Sequence, residues 1–251
     1  MKRPASSHKG DNGRVLVIGG NERYHGAPIL AGLGAEKSGA DLVSLLVPKE
    51  QQLLARSFSP NLIVDTFSGS YFRPKDLRKA LDLCEKADVL VVGNGMGDRP
   101  QTQRALRKLL QNCPCRMVID AAALVPFVAV APLPQEVVVT PHRGELAAMG
   151  ADEEDLVRVA QNWNAIVALK GPTDLIATPD GQLFENTTGH PILTKGGTGD
   201  VLAGLIAGLM AQGMASGSAV QQALHDWGKV GEFVATKKGL ETTIEELIQE
   251  I

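Results

Sequence analysis

The stretch from Gly196 to Asp200 reads Gly-Gly-Thr-Gly-Asp, a combination that can bind an anion beside a proton acceptor. The apolar segment 201–210 follows it, too long for a typical strand and too short to span a bilayer, which favours a buried helix. Glycines before a helix let the backbone turn sharply and approach a ligand closely. The first helical turn adds unpaired N–H groups and the positive end of the dipole. We therefore expect this stretch to hold a phosphoryl group.

Asp200 falls in the first turn of that predicted helix. A carboxylate there is expected to be stabilised in its charged form, so that it can accept a proton from a substrate hydroxyl. This pairing suggests phosphoryl transfer to an alcohol, although an acidic residue at a helix start often serves only the dipole, and both interpretations stay open. The stretch is not a P-loop, because no Gly-Lys-Ser/Thr follows the glycines and Lys195 precedes them.

Two further stretches carry candidate residues. Lys170 to Asp174 follows a predicted buried strand at 166–169, where the lysine could reach a phosphate or belong to an ordinary surface loop. His142 follows the predicted strand 137–139 and could contact a substrate or lie on the surface. Thr140 is a candidate helix N-cap, with Pro141 as the first helical residue.

Short apolar strands alternate with amphipathic helices up to about residue 164, which predicts parallel βαβ units with helices on both faces of a sheet. Pro179-Asp180-Gly181 separates two short strand-like runs and predicts a hairpin, hence an antiparallel edge. Two more helices are expected after the buried one, at 218–237 and from Thr242 onward, where Thr242 and Glu245 have capping-box spacing. Before the hairpin we predict strands at 14–18, 41–47, 62–64, 89–92, 117–120, 137–139 and 166–169, and helices at 26–38, 49–55, 75–86 and 101–110.

Composition narrows the function. The 251 residues, 44% of them hydrophobic, suffice for one large core, and we expect one domain over residues 1–251. A net charge of −3 and 4% aromatic residues disfavour nucleic acid as a partner. The absence of a long apolar run or a cationic signal sequence disfavours a membrane and predicts a cytoplasmic protein. Cys113-Pro114-Cys115 has no second ligand pair nearby in sequence, so we interpret it as structural.

Several strings resemble, in their order along the chain, the ADP- or ATP-dependent NAD(P)H-hydrate dehydratases. The resemblance covers about residues 9–251. The combination of Gly-Gly-Thr-Gly-Asp-Val-Leu-Ala-Gly with Thr-Pro-His-Arg-Gly-Glu is specific to that family, whereas a Gly-x-Gly-Asp core is shared by the wider ribokinase-like superfamily. The strings lie at 9–20, 26–28, 93–97, 118–121, 140–145, 169–171 and 196–204.

The resemblance implies a ribokinase-like, three-layer α/β/α fold with a mostly parallel central sheet and an antiparallel edge. It implies repair of hydrated NADH or NADPH (NADHX, NADPHX) with ADP or ATP as phosphoryl donor. Asp200 would be the catalytic base. The nucleotide would lie against Lys170, Gly171, Pro172, Thr173, Asp174, Gly197, Thr198 and Gly199, and the hydrated cofactor against Ala27, Gly97, His142 and Asp200.

The same resemblance implies a homo-oligomer, specifically a homotetramer, to which surplus apolar surface on the helices after Gly199 would contribute. Many relatives carry an N-terminal epimerase domain that this chain lacks, so a separately encoded NAD(P)HX epimerase is the expected functional partner. Mg²⁺ is expected because phosphoryl transfer normally needs charge neutralisation, but the sequence does not assign its ligands.

The sequence departs from the family pattern at four positions. Asn94 stands where Pro is usual, Arg143 where Pro is common, and His190 where Asn is common. Ala122 stands where the family often has a second Asp, and a lost carboxylate there could alter metal or substrate handling.

Two alternatives to the dehydratase remain: a ribokinase-like kinase of a vitamin precursor or sugar, and a nucleotide-binding regulator without catalysis.

Overall fold

The computed structural model describes residues 6–251 and contains one nine-stranded sheet in the order β3-β2-β1-β4-β5-β6-β7-β8-β9. Neighbours from β3 to β7 pair in parallel, whereas β7–β8 and β8–β9 pair antiparallel. The predicted mostly parallel sheet with an antiparallel edge is therefore confirmed. The strands are β1 (Arg14–Ile18), β2 (Leu42–Pro48), β3 (Ile63–Phe67), β4 (Val89–Val92), β5 (Arg116–Ile119), β6 (Val137–Val139), β7 (Ile166–Leu169), β8 (Asp174–Ala177) and β9 (Leu183–Asn186).

Helices cover both faces of this sheet, as the alternating pattern predicts. Successive side chains of a strand point to opposite faces, so β1 contributes Val15 and Val17 to one core and Leu16 and Ile18 to the other. The helices are α1 (Gly26–Lys37), α2 (Gln52–Phe58), α3 (Leu77–Cys84), α4 (Pro100–Asn112), α5 (Leu124–Val128), α6 (Arg143–Ala148), α7 (Leu156–Trp163), α8 (Thr198–Ala211), α9 (Ser216–Lys238) and α10 (Ile244–Gln249).

Helix α8 is the predicted buried helix, and it packs directly on α1 through small residues. A Cβ added to Gly204 would lie 1.9 Å from the Ala31 carbonyl oxygen, and one added to Gly34 would lie 2.3 Å from the Val201 carbonyl oxygen. Both contacts are far below van der Waals distance, so the two backbones touch. This contact fixes the position of the α8 N-terminus relative to the sheet.

Two helix starts differ from the sequence prediction. Thr140 is not an N-cap: its hydroxyl donates to Asp120, and α6 begins later, with His142 as the capping residue. The final capping box is formed by Thr243 and Glu246 rather than by Thr242 and Glu245, because the Thr242 hydroxyl donates to the Gly239 carbonyl oxygen. Hydrogen bonds in the folded chain therefore determine that Thr243, and not the adjacent Thr242, caps α10.

The apolar side chains of α8 pack inside the protomer. Its residues are mostly buried against α1, α9 and the sheet, so the surplus apolar surface expected on α8 is not present. Exposed apolar side chains cluster around α2 and the edge strand β3, at Leu53, Leu54, Phe58 and Ile63, and Phe233 of α9 is also exposed. Within residues 6–251 every helix is too short or too polar to cross a bilayer.

Candidate functional site

The carboxyl ends of five parallel strands meet at one edge of the sheet and carry most of the candidate residues. Strands β1, β4, β5 and β6 end in register, Ile18 beside Val92, Ile119 and Val139. The chain then leaves each strand into a loop, and His142 beyond β6 still pairs with Lys170 beyond β7. Ligands of open α/β sheets bind at this edge.

The start of α8 lies at the same edge, and its geometry matches the predicted anion cradle. Gly197 is the N-cap with φ of +98°, a left-handed conformation that glycine adopts without strain. Asp200 is the third residue of the helix, as predicted. Helix geometry leaves the first-turn amides without intrahelical acceptors, which makes them available to a phosphoryl group.

Thr198, predicted to bind the nucleotide, has its side chain engaged in the protein. The buried Thr198 hydroxyl contacts the carbonyl oxygens of Leu193 and Lys195 at 2.6 and 2.8 Å, and its amide also donates to Lys195. These contacts hold the segment that precedes α8 against the start of the helix. The Thr198 side chain therefore supports the anion cradle through contacts with the protein.

Asp200 is joined to the ends of β4 and β5 by a buried amide. Asn94 donates through Nδ2 to Asp200 Oδ1 at 2.7 Å and to Asp120 Oδ2 at 3.1 Å. Asn94 is fully buried, and within the described part of the chain its Oδ1 has no hydrogen-bond partner. An unpaired buried acceptor costs about 1–3 kcal/mol, so this amide is held in place against a local penalty, a feature that is typical of functional sites.

The pKa of Asp200 is raised to about 7, chiefly by burial and to a smaller extent by the charge of Asp120. The Asn94 hydrogen bond and the Lys170 ammonium lower that pKa but do not offset the loss of hydration. The prediction that the helix start holds Asp200 strongly in its charged form is therefore wrong, because desolvation outweighs the dipole. A carboxyl group that titrates near neutral pH is instead well matched to general base catalysis.

Lys170 lies at the centre of the site and pairs with Asp120. Its Nζ is 3.0 Å from Asp120 Oδ1, which also accepts a hydrogen bond from Thr140 at 2.8 Å. Burial opposes the charge on Lys170, but the carboxylates of Asp120 and Glu145 together raise its pKa, so the ammonium persists. A Cβ added to Gly199 would lie 3.3 Å from Lys170 Nζ. The two predicted nucleotide-binding stretches therefore meet at this point.

The rest of the stretch after Lys170 forms a tight turn. The Gly171 amide donates to Asp174 Oδ1 at 3.0 Å, and Asn186 on β9 donates to the other Asp174 oxygen at 2.9 Å. Asp174 is therefore a turn-forming residue whose carboxylate faces protein donors. Gly171 and Pro172 are exposed and Thr173 is half-buried, which leaves them open to a ligand.

Ala27 and Gly97 lie near the loop that follows β4, which carries Asn94. A Cβ added to Gly95 would lie 3.0 Å from the Ala27 Cβ, and one added to Gly97 would lie 2.7 Å from Asn21 Nδ2. Since Gly95 follows Asn94, the first turn of α1 and the loop after β4 border the Asp200 carboxylate. These two predicted substrate contacts thus share one wall.

His142 lies on the Lys170 side of the site. Its Nδ1 accepts the Glu145 amide at 3.1 Å, and its own amide donates to Glu145 Oε2 at 2.9 Å, which completes a capping box at the start of α6. The ring is 60% exposed and available to a ligand. The structure thus adds a capping role that the sequence prediction did not assign.

Two central residues were missed as site residues from the sequence. Asn94 was noted only as a departure from a common Pro, and Asp120 only as part of a matching string. Asp120 directly follows β5 and Asn94 lies two residues after β4, and polar residues at the carboxyl ends of adjacent parallel strands are the signal that could have identified them. Ala122, the other departure, contributes its carbonyl oxygen to Gln103 at 3.1 Å.

We predict that Asn94→Ala raises the pKa of Asp200 above its value near 7, because the variant removes the side-chain hydrogen bond that favours the charged form. Carboxyl-carbon NMR titration of the wild type should show one aspartate titrating near neutral pH, identified by its loss in Asp200→Asn. Thr102→Val, which removes a buried hydrogen bond to the Phe72 carbonyl oxygen, is the control and should leave that titration unchanged. An unshifted midpoint in folded Asn94→Ala would contradict the assigned contact.

The chain is similar to known proteins along nearly its whole length. Residues 15–251 match a family model described as NAD(P)H-hydrate dehydratase. An ADP-dependent (S)-NAD(P)H-hydrate dehydratase of Nitrosopumilus maritimus is 37% identical over 99% of this chain and 90% of its own length. A bifunctional NAD(P)H-hydrate repair enzyme Nnr of Archaeoglobus fulgidus is 37% identical over 100% of this chain but only 52% of its own length, so the chain spans about half of such relatives.

Solved structures give the same result. A Bacillus subtilis ADP/ATP-dependent NAD(P)H-hydrate dehydratase, co-crystallised with ATP/Mg²⁺, superposes with a TM-score of 0.85 at 28% identity, over 99% of this chain and 91% of that one. Ribokinase-like proteins are among the structural neighbours, which confirms the predicted fold class. With a family model matched over residues 15–251 and a relative aligned along nearly its whole length, this chain belongs to the NAD(P)H-hydrate dehydratase family.

Proposed function

We propose that this chain dehydrates NADHX and NADPHX, the hydrated forms of NADH and NADPH, with ADP or ATP as phosphoryl donor. The observation that carries the proposal is the Asp200 carboxyl group, whose pKa is about 7, in the first turn of α8, the helix in which Gly199 lies beside the Lys170 ammonium. A proton acceptor and an anion cradle are thus adjacent. The choice of NADHX and NADPHX as substrates is based on the family to which the chain belongs.

In the first step Asp200 takes the proton of the ring hydroxyl while that oxygen attacks the terminal phosphorus of the nucleotide. The new bond is carbon-linked oxygen to phosphorus, and the broken bond joins phosphorus to the bridging oxygen, which leaves with the shortened nucleotide. Gly199 and its neighbouring amides at the start of α8, together with Lys170, stabilise the charge that develops on the transferred group. Asp200 must be ionised for this step.

In the second step phosphate leaves the ring with the electrons of the carbon–oxygen bond. The ring nitrogen lone pair supplies the driving electrons, and the adjacent ring carbon loses a proton to restore the reduced nicotinamide. Ala27, Gly97 and His142 are the proposed contacts of the hydrated ring. Gly197, Gly171, Pro172 and Thr173 are proposed for the nucleotide, with Thr198 and Asp174 shaping its site through the protein contacts described above.

Mg²⁺ is the proposed companion of the nucleotide. It prefers oxygen ligands, and it is usually held by one or two carboxylates together with substrate phosphates and water rather than by a complete protein cage. The site fits that pattern, because Asp200, Asp120 and Glu145 supply hard oxygen donors near the cradle. When bound, the ion would neutralise phosphate charge.

The main alternative is a ribokinase-like kinase, which would use Asp200 in the same manner. The kinase retains its phosphoester, because a primary alcohol lacks the ring nitrogen that expels phosphate. A regulator without catalysis is disfavoured because a titratable carboxyl group lies beside the anion cradle. The fate of the phosphorylated product therefore separates the candidates.

We also propose that residues 1–251 form one domain and that the chain assembles as a homotetramer. A single sheet with helices on both faces supports the first proposal, and the exposed apolar group around α2 and β3 supports the second. An NAD(P)HX epimerase encoded separately is the proposed functional partner, since relatives named bifunctional combine two repair activities.

Asp200→Asn should fold and bind nucleotide normally but lose about 10²-fold or more in turnover, as expected when a positioned base is removed. Turnover and nucleotide affinity are measured side by side. Asp226→Asn, the same change at an exposed site on α9, is the matched control and should behave as wild type. Turnover near the wild-type rate in Asp200→Asn would exclude this base.

Gly199→Val should weaken nucleotide binding, because a side chain there meets Lys170 Nζ at 3.3 Å and crowds the cradle. Gly196→Val is the control within the same loop, since a Cβ at Gly196 meets nothing within 4 Å. Calorimetric titration with ADP and ATP compares the two. Equal affinity in both folded variants would place the anion site elsewhere.

Incubation of NADHX or NADPHX with nucleotide should restore the absorbance of the reduced nicotinamide, with an equal amount of free phosphate. The reason is that the ring nitrogen expels phosphate at each turnover. Stable phosphorylation of a vitamin precursor or sugar, with no returning absorbance under either nucleotide, would establish the kinase instead.

Light scattering at micromolar concentration should show a tetramer. Leu53→Glu replaces an apolar side chain of α2 that is 79% exposed with a charged one, and it should shift the chain toward smaller oligomers. The same charge on a polar surface of α9, Gln222→Glu, should have no such effect. A wild-type monomer would contradict the proposal.

A further inference from the structure

The three cysteines of the chain, Cys84, Cys113 and Cys115, meet in space although they come from separate elements. Cys84 is the last residue of α3, Cys113 directly follows α4, and Cys115 directly precedes β5. Asp120 directly follows the other end of β5, so this thiol cluster lies at the sheet edge opposite the Asp200 site. The cluster is therefore separate from the proposed catalytic centre.

The sulfur atoms have the spacing of ligands around one ion. All three Sγ atoms lie within 4.8 Å of one another, and Cys113 and Cys115 are 3.6 Å apart. Sulfur atoms on a tetrahedral Zn²⁺ lie about 3.8 Å apart, given Zn–S bonds of about 2.3 Å. The Cys113–Cys115 distance is close to that value, and the upper limit for the other two pairs lies about 1 Å above it.

We propose that Cys84, Cys113 and Cys115 form a binding site for one thiophilic metal ion such as Zn²⁺. Thiolates select soft or borderline ions such as Zn²⁺ and Cu⁺ over Mg²⁺. Within residues 6–251 the cluster includes no His, Asp or Glu ligand, so a fourth position is left to water. Cys84 and Cys113 are buried, whereas Cys115 is half-buried and gives an ion access.

The contact between sulfur atoms agrees with a ligand role. The Cys113 and Cys115 sulfur atoms are within hydrogen-bonding distance at 3.6 Å, and Cys84 brings a third sulfur atom to them from a separate element. Simple apolar packing would be served equally well by three alanines or valines and gives no reason for this contact between sulfurs.

The sequence interpretation of Cys113-Pro114-Cys115 as purely structural missed this arrangement. The third thiol arrives from α3, which precedes the pair by a whole strand and helix. A bound ion would tie the end of α3 to the connection between α4 and β5. Binding to the native state alone raises stability in proportion to the logarithm of the ion concentration over its Kd.

The test uses the full chain, purified metal-free and kept reduced. Equilibrium dialysis against Zn²⁺ should show one tightly held ion per chain, and Co²⁺ should give thiolate-to-metal charge-transfer absorbance. Zn²⁺ should also raise the unfolding temperature. Cys115→Ser should weaken Zn²⁺ binding by at least about 10-fold, the smallest loss usual even for an outer-shell partner.

Two controls isolate the thiols. The variant with all three cysteines changed to alanine retains the five histidines and reports any binding through them. Met117→Leu alters a buried residue of β5 but keeps the thiols, so its Zn²⁺ affinity should equal that of the wild type. Zn²⁺ binding by the wild type no tighter than that of the triple variant would overturn the proposal.

A second measurement applies if the triple variant does not fold. In the wild-type chain, Zn²⁺ should slow the reaction of Cys115 with a thiol-alkylating reagent, because a coordinated sulfur is no longer a free nucleophile. An unchanged alkylation rate at saturating Zn²⁺ would equally overturn the site.

Discussion

The ion pair between the partly buried Lys170 and the buried Asp120 is the interaction on which the candidate site depends. Its two partners follow β7 and β5, so it ties together the carboxyl ends of two strands that lie on either side of β6. Removal of Lys170 would leave the buried Asp120 carboxylate without its charged partner, which destabilises the folded state. The pair also fixes a cation beside Gly199, where the proposed phosphoryl transfer needs it.

Asn94 extends this network to Asp200, and the balance among its members sets the state of the base. Among residues 6–251, Asn94 alone donates a side-chain hydrogen bond to Asp200, and a second carboxylate lies close by, so the loss of water around Asp200 is poorly compensated. Lys170 limits the effect, since its charge favours the ionised form. The resulting pKa of Asp200 is about 7, which lies between that of a surface aspartate and that of a carboxyl group that stays protonated.

The position of Asp200 is set by backbone contact rather than by side-chain packing. Gly204 and Gly34 allow α8 and α1 to touch, and a side chain at either position would push the helices apart. The α8 N-terminus would then move away from the strand ends. The glycines inside this helix thus serve the site as directly as those that precede it.

The sequence by itself determined the order of the strands, most of the helices, the antiparallel edge at Asp180-Gly181, and the glycine-rich start of α8, but it did not predict α5 and α7. The strands and helices follow from hydrophobic periodicity, and the turns follow from positions that only glycine occupies without strain. Both are local properties of the sequence. Only the tertiary structure decided that Asn94 bridges Asp120 and Asp200, that His142 rather than Thr140 caps α6, and that Cys84 joins Cys113 and Cys115. It also reversed the expected charge preference of Asp200, because desolvation depends on every element that surrounds a group and leaves no pattern in the sequence around it.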